Sequence, residues 1–152
     1  MKVNTRIFGE IDVDDSKIIT FDKGILGFPE LKKFTLLHDA EQGEDAGIRF
    51  LQSLDEGAFA MPVMNPLIVK PDYDPTVEDE LFKNLGELSA DNILVLVTAT
   101  IPSDLTKMTV NLMGPIVINV DAHKACQVIV ENSDYPVKFP VYEILKKGKE
   151  RE

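Results

Sequence analysis

The chain has one cysteine, two histidines and far fewer basic than acidic residues, and each shortage removes a class of function. A single thiol, Cys126, forms no internal disulfide, and no charged-then-apolar leader opens the sequence, so a reducing cytoplasm is the expected location. The longest near-continuous apolar run, Ile93 to Ile101, is about half of the ~18 to 20 residues that cross a bilayer and is broken by Thr98 and Thr100. It predicts a central strand, the most buried of the fold, and no membrane partner. Sixteen Lys and Arg against twenty-six Asp and Glu give a formal net charge of -10, which opposes contact with nucleic acid phosphates. Such a charge suits attraction to a basic protein, and serves plain solubility equally well.

The residues for catalysis are scarce in the same way. His123 and Cys126 supply two soft ligands where structural zinc takes four, and a Cys126/His38 pair sits in no recognisable activating motif. There is no G-x-S-x-G, G-x-x-x-x-G-K-[ST] or G-x-G-x-x-G, so hydrolase, nucleotidase and dinucleotide-binding readings lack their local support. Adjacent carboxylates such as Asp14-Asp15 and Glu78-Asp79-Glu80 read first as solvated faces in a chain this acidic. The expectation is a protein that is not an enzyme and carries no cofactor or metal.

What is present is a succession of short alternating runs. Lys2 to Val13 alternates around Gly9 and predicts a hairpin, with Ile18 to Phe21 a further strand. Gly24-Ile25-Leu26-Gly27-Phe28-Pro29 reads as a turn, followed by a short helical turn at Glu30 to Phe34. Phe34 to His38 and Phe50 to Leu54 are the next strands, around an acidic loop from Asp39 to Gly47. Phe59 to Val63 and Leu67 to Val69 predict strand, kink, strand about Asn65-Pro66. Thr76-Val77-Glu78-Asp79 reads as a helix start, with Val77, Leu81 and Leu85 on one face, Phe82 beside it, and Gly86 as terminator.

Met108 to Asn119 is the most informative stretch. Val110 and Leu112 alternate with Thr109, Asn111 and Met113, and the phase restarts at Ile116 after Gly114-Pro115, so two short strands or one strongly bent strand are expected. Cys126 to Val130 supplies another strand and Val141 to Lys147 a short C-terminal helix. At 152 residues the chain is expected to form one mainly β domain over 1–145, a small antiparallel barrel-like fold with one or two short helices. Residues 146–152 read as a charged tail.

Taken together, several segments resemble the family of flagellar assembly factors FliW. They are Phe8-Gly9, Phe21 with Gly24-Ile25-Leu26-Gly27-Phe28, Phe50-Leu51-Gln52-Ser53-Leu54, Pro62-Val63 with Asn65-Pro66, Met108 to Leu112, Pro115 to Asn119, and Gln127. Each is unspecific alone; their order and spacing from Phe8 to Tyr135 are distinctive. The loop from Glu41 to Gly47 departs from the family pattern. The resemblance implies a cytoplasmic, non-enzymatic, β-barrel-like protein, expected to be a monomer when free, with two protein partners: flagellin and the translational regulator CsrA. In that family unsecreted flagellin holds the protein. Once flagellin is exported, the freed protein binds CsrA, antagonises it allosterically and relieves repression of flagellin translation. A flagellin chaperone without CsrA control is the alternative.

A basic target favours an apolar contact rimmed by acids, because a few buried anchors carry affinity while rim charges set the encounter rate. The region Pro71 to Phe82 has both ingredients, and the candidate contact residues are Asp72, Tyr73, Asp74, Glu78, Asp79 and Glu80, with Asn65. Against this, Glu78 and Asp79 also suit the positive end of a helix dipole, Phe82 falls near the inward face, and Asn65 and Asn111 more often serve strands and turns.

Overall fold

The computed structural model describes residues 2–25, 27–37, 48–75, 82, 85–86, 89, 91–131 and 135–145. The acidic loop 39–47, the helix start at Thr76–Asp79 with Glu80, and the charged tail 146–152 lie outside them.

Alternation around Gly9 folds as expected, with β1 (Lys2–Thr5) antiparallel to β2 (Gly9–Asp12). Val3 and Thr5 turn inward, and the Thr5 hydroxyl closes the turn by donating to the Gly9 carbonyl at 2.8 Å and accepting from the Phe8 N–H at 2.9 Å. The hairpin covers a small cluster of Val3, Val13 and Leu54.

The other strands are β3 (Ile19–Phe21), β4 (Lys33–Leu37), β5 (Ile48–Ser53), β6 (Ala60–Met64), β7 (Ile93–Thr100), β8 (Thr109–Val110), β9 (Ile116–Asn119), β10 (Lys124–Gln127) and β11 (Phe139–Pro140). Seven of them close a ring in the order β3-β4-β5-β6-β7-β9-β10, with β10 returning to β3. A ring with an odd number of strands cannot alternate direction throughout, so one neighbouring pair must be parallel. That pair is β3 with β10, an exception to the otherwise antiparallel barrel.

Following strand direction around the ring, the turn leaving β6, the first residues of β7 and the turn after β9 share one end of the barrel. Strands β8 and β9 both pair with β7, and Val97 and Thr98 of β7 face the five residues 111–115 between them. The signature stretch is thus one strand interrupted by a large bulge at the Gly114-Pro115 corner. Asn111 holds that bulge, its side-chain oxygen accepting from the N–H groups of Met113 and Gly114 at 3.0 Å each.

Inward side chains Phe21, Phe34, Leu51, Val63, Leu96, Ile116 and Ile118 fill the barrel. Phe34, fully buried, meets Phe21 edge-on at 5.1 Å, and burying one such ring contributes roughly 1.5–3 kcal/mol. Their strand neighbours point the other way into a second cluster: Met64 and Val97 pack outside the barrel with Val69, Tyr73, Val110, Leu112, Tyr135 and Val141. Val117 lies on a third surface with Leu85 and Val128, with Phe82 and Val95 packed against it. Burial on both faces explains why these runs lack polar alternation.

Three local expectations change. Glu30 to Phe34 forms no helical turn, because one oxygen of Asp55 accepts from the N–H groups of Lys32 and Lys33 at 2.8 and 3.0 Å and draws the chain into β4. Leu67 to Val69 is not a strand; Pro66–Ile68 is a 3-10 turn. The most buried strand is β9, all four residues buried, whereas both ends of β7 are exposed. At the C-terminus residues 142–145 are helical.

Candidate protein-docking site

Asn65 precedes proline and is therefore extended (φ -71°, ψ 119°), which leaves its side chain free to cap the turn that follows. Its oxygen accepts from the Leu67 N–H at 3.0 Å, and Pro66 occupies the first turn position, where no N–H is needed. The N–H groups of Val69 and Lys70 donate to the Pro66 carbonyl at 3.2 and 2.8 Å. This tight turn sends Pro66 and Val69 inward and leaves Leu67 and Ile68 outside, 51% and 48% exposed.

Across from the turn begins β7, where Ile93 is also exposed. Between them lies an open groove of about 260 Å³ lined by Asn65, Pro66, Leu67, Tyr73, Pro75, Ile93, Leu94 and Val95. Its surface is mostly apolar, and its walls are set by backbone-determined elements.

Tyr73 fixes the acidic side of the groove. Its hydroxyl donates to the Leu112 carbonyl at 2.6 Å, and its ring packs on Tyr135 with centroids 4.7 Å apart. Burial, with a smaller contribution from Tyr135, holds the phenol protonated beyond the usual range, so the donor role persists through the physiological interval. With Tyr73 turned in, its neighbours Asp72 and Asp74 are turned out. The Asp74 N–H donates to the Tyr135 hydroxyl at 2.8 Å, and Lys70 pairs with Asp72 at 3.2 Å while lying about 6 Å over the Tyr135 and Phe139 rings.

Asn65 and Tyr73 line the groove, Asp72 and Asp74 are the exposed sequence neighbours of Tyr73, and Glu78, Asp79 and Glu80 lie outside the described residues. Tyr73 serves as a wall and an anchor of its own segment, not as an exposed aromatic. Phe82 packs toward Leu85, Val117 and Val128. Leu67, Ile68 and Ile93 were not singled out from sequence; the Asn65-Pro66 pair signalled a capped turn but not which side chains it exposes.

Of the residues considered for chemistry, Cys126 and His123 are described. Cys126 sits on β10 opposite Val117, and burial pushes its thiol up to about 11, with Lys23 opposing the shift. So placed it is a poor nucleophile near neutrality. His123 occupies the turn after β9 at φ 57°, its N–H donating to the Asn119 carbonyl at 2.9 Å. His38 is outside the described residues. Among the described residues no group of three or more His, Cys, Asp or Glu is placed to hold a metal ion, and no helix is long and apolar enough to cross a membrane.

Comparison with known proteins gives one consistent result. The family profile described as FliW protein matches residues 2–141. A flagellar assembly factor FliW of Lachnospira eligens is 53% identical over 148 residues, covering 97% of this chain and 98% of the relative. Another, of Lachnoclostridium phytofermentans, is 48% identical over 143 residues, covering 94% and 92%. A crystal structure of the flagellar assembly factor FliW superposes with a TM-score of 0.85 at 29% identity, covering 93% of this chain and 96% of the other. With barrel, order of segments and sequence in agreement, the chain belongs to the FliW family of flagellar assembly factors.

Proposed function

We propose that this flagellar assembly factor is a cytoplasmic partner-switching protein without enzymatic activity. Flagellin holds it while filament subunits accumulate. When export removes flagellin, the freed monomer binds CsrA, antagonises it allosterically and relieves repression of flagellin translation. The observation that carries this reading is an exposed apolar surface, Leu67 and Ile93 on the groove and Ile68 next to Leu67, with the exposed carboxylates Asp72 and Asp74 on either side of Tyr73 in its wall. That is the form a docking site for a basic protein takes: apolar anchors for affinity, like-signed acids for steering and for excluding RNA. The net charge of -10 acts in the same direction over longer range.

Calorimetric titration of the purified protein against CsrA from the same organism, before and after saturation with flagellin, tests the reading. Saturable binding to CsrA that flagellin abolishes supports it. Binding to flagellin alone leaves a chaperone without CsrA control, and binding to neither removes the partner switch altogether.

A further inference from the structure

We infer that the hairpin of β1 and β2 is a strap, residues 2–13, that unlatches as a unit from the outer face of β5 while the barrel stays closed. Among the described residues the two strands form a sheet of their own, separate from the barrel. Strand β5 is paired along both edges, to β4 from Phe50 to Ser53 and to β6 from Ile48 to Gln52, so lifting the hairpin costs the barrel no ladder hydrogen bond. The two units also differ in what they bury. Among the described residues eleven buried hydrophobics make up the barrel core and three make up the cluster under the hairpin, so the hairpin is the less stable unit. A hinge stands where it is needed. Asp15–Lys17 is a 3-10 turn with no buried residue, capped by the Asp14 side chain, which accepts from the Ser16 N–H at 3.1 Å. Directly after it the chain is fastened to the barrel, the Thr35 hydroxyl donating to the Lys17 carbonyl at 3.0 Å.

The contacts between strap and barrel follow one strip. Phe50 and Gln52 alternate with inward Leu51 and so face outward, and Leu54 continues the strip just past the end of β5. The Phe8 ring meets Phe50 edge-on with centroids 5.6 Å apart, and Leu54 packs with Val3 and Val13. Between them lies the latch. The buried Gln52 amide donates to the Gly57 and Phe59 carbonyls at 3.1 Å each, fixing the turn between β5 and β6. That turn receives the hairpin: the Gly57 carbonyl also accepts from the Arg6 N–H at 3.1 Å, and the Ala58 carbonyl from Arg6 Nε at 3.2 Å. Gly57 lies so near β1 that a Cβ there would overlap the Asn4 carbonyl oxygen, and the three nearest heavy atoms all belong to Asn4 and Thr5. Its φ is outside the left-handed range, so alanine suits the turn itself and is opposed by the hairpin alone. Opening presents Phe50 and Leu54 to solvent and leaves Gln52 bonded to its own turn.

The test is amide exchange read by mass spectrometry on the full chain, in wild type, Gly57→Ala and Arg6→Ala. An isolated two-stranded hairpin is marginal in water, so the paired amides of β1 and β2 lose protection once the strap lifts. In wild type they should exchange together, at least about tenfold faster than those of β7 and β9. Gly57→Ala should accelerate the hairpin by at least about tenfold more, with β7 and β9 within about twofold of wild type. A hairpin as protected as β7 and β9 in wild type would overturn the inference, and so would a Gly57→Ala chain in which hairpin and barrel accelerate alike. Arg6→Ala removes the side-chain bond to Ala58 without a clash and decides the matter if Gly57→Ala does not fold. Faster exchange confined to the hairpin supports the strap, whereas no change, or a change shared with the barrel, overturns it.

Discussion

The Tyr73 hydroxyl donates to the Leu112 carbonyl at 2.6 Å, joining the segment that follows β6 to the bulge between β8 and β9 across 39 residues of sequence. Leu112 is fully buried, so its carbonyl has no solvent to fall back on. The bond ties the acidic flank of the groove to the same bulge that lets β8 and β9 share β7. One contact therefore links the packing of the outer core to the presentation of Asp72 and Asp74.

Tyr73→Phe keeps the ring against Tyr135 and removes only the donor. An orphaned buried acceptor costs about 1–3 kcal/mol, so the urea midpoint should fall by that equivalent with an unchanged slope. Amide exchange in residues 70–75 should accelerate more than exchange inside the barrel, because the lost bond anchors that segment locally.

Cys126 makes stability depend on alkaline pH. Burial raises its thiol from the ordinary 9.0 to about 11, so in that interval the folded chain keeps a proton the unfolded chain has released. The unfolded state then binds fewer protons, and the contribution, complete below about pH 9, is lost as pH rises toward about 11. Denaturation across this range should show Cys126→Ala flattening the decline relative to wild type. A parallel decline in both would mean that the thiol does not contribute.

Strands were legible where half-buried strands alternate, as β1 and β3 do, and as short apolar runs between turn residues elsewhere. Closure was not legible. It depends on β7 pairing with β9 and on β3 meeting β10 in parallel, long-range choices that leave no local pattern. Leu67 to Val69 read as a strand because apolar β-branched composition is shared by strands and short turns; the side-chain cap from Asn65 decided it. Tyr73 read as exposed because acids surround it in sequence, yet a buried tyrosine with one good acceptor needs no apolar neighbours along the chain. The acids themselves were legible as a group, and the groove that gives two of them a context was not, since its two sides come from segments 26 residues apart.

Two glycines with nearly the same backbone separate strain from space. Gly9 (φ 68°) has nothing within 4 Å of where a Cβ would stand, whereas at Gly24 (φ 69°) a Cβ would lie 2.5 Å from the Pro29 carbonyl oxygen. Gly9→Ala should cost about 1–2 kcal/mol, the left-handed penalty alone. Gly24→Ala must also displace rigid backbone, so its loss should exceed about 3 kcal/mol or prevent folding. Equal losses in denaturant would show that the Gly24 turn yields to accommodate a methyl group.

The acids of the Asp72 to Glu80 stretch should act on the rate of encounter with the proposed basic partner. Replacing Asp72 and Asp74 with asparagine, and Glu78 and Glu80 with glutamine, removes four charges while keeping side-chain size. The Lys70–Asp72 pair is no obstacle, since the Asp72 side chain is 80% exposed and such surface pairs contribute at most about 1 kcal/mol. Stopped-flow association with CsrA at low ionic strength should slow by about tenfold, while dissociation changes by less than about twofold. The difference should vanish near 1 M salt, where screening acts over about 3 Å. If dissociation accelerates instead, the carboxylates are buried in the complex and act as contacts. If neither rate changes at low salt, the basic partner docks away from this end of the barrel, and Leu67 and Ile68 lose their electrostatic rationale with it.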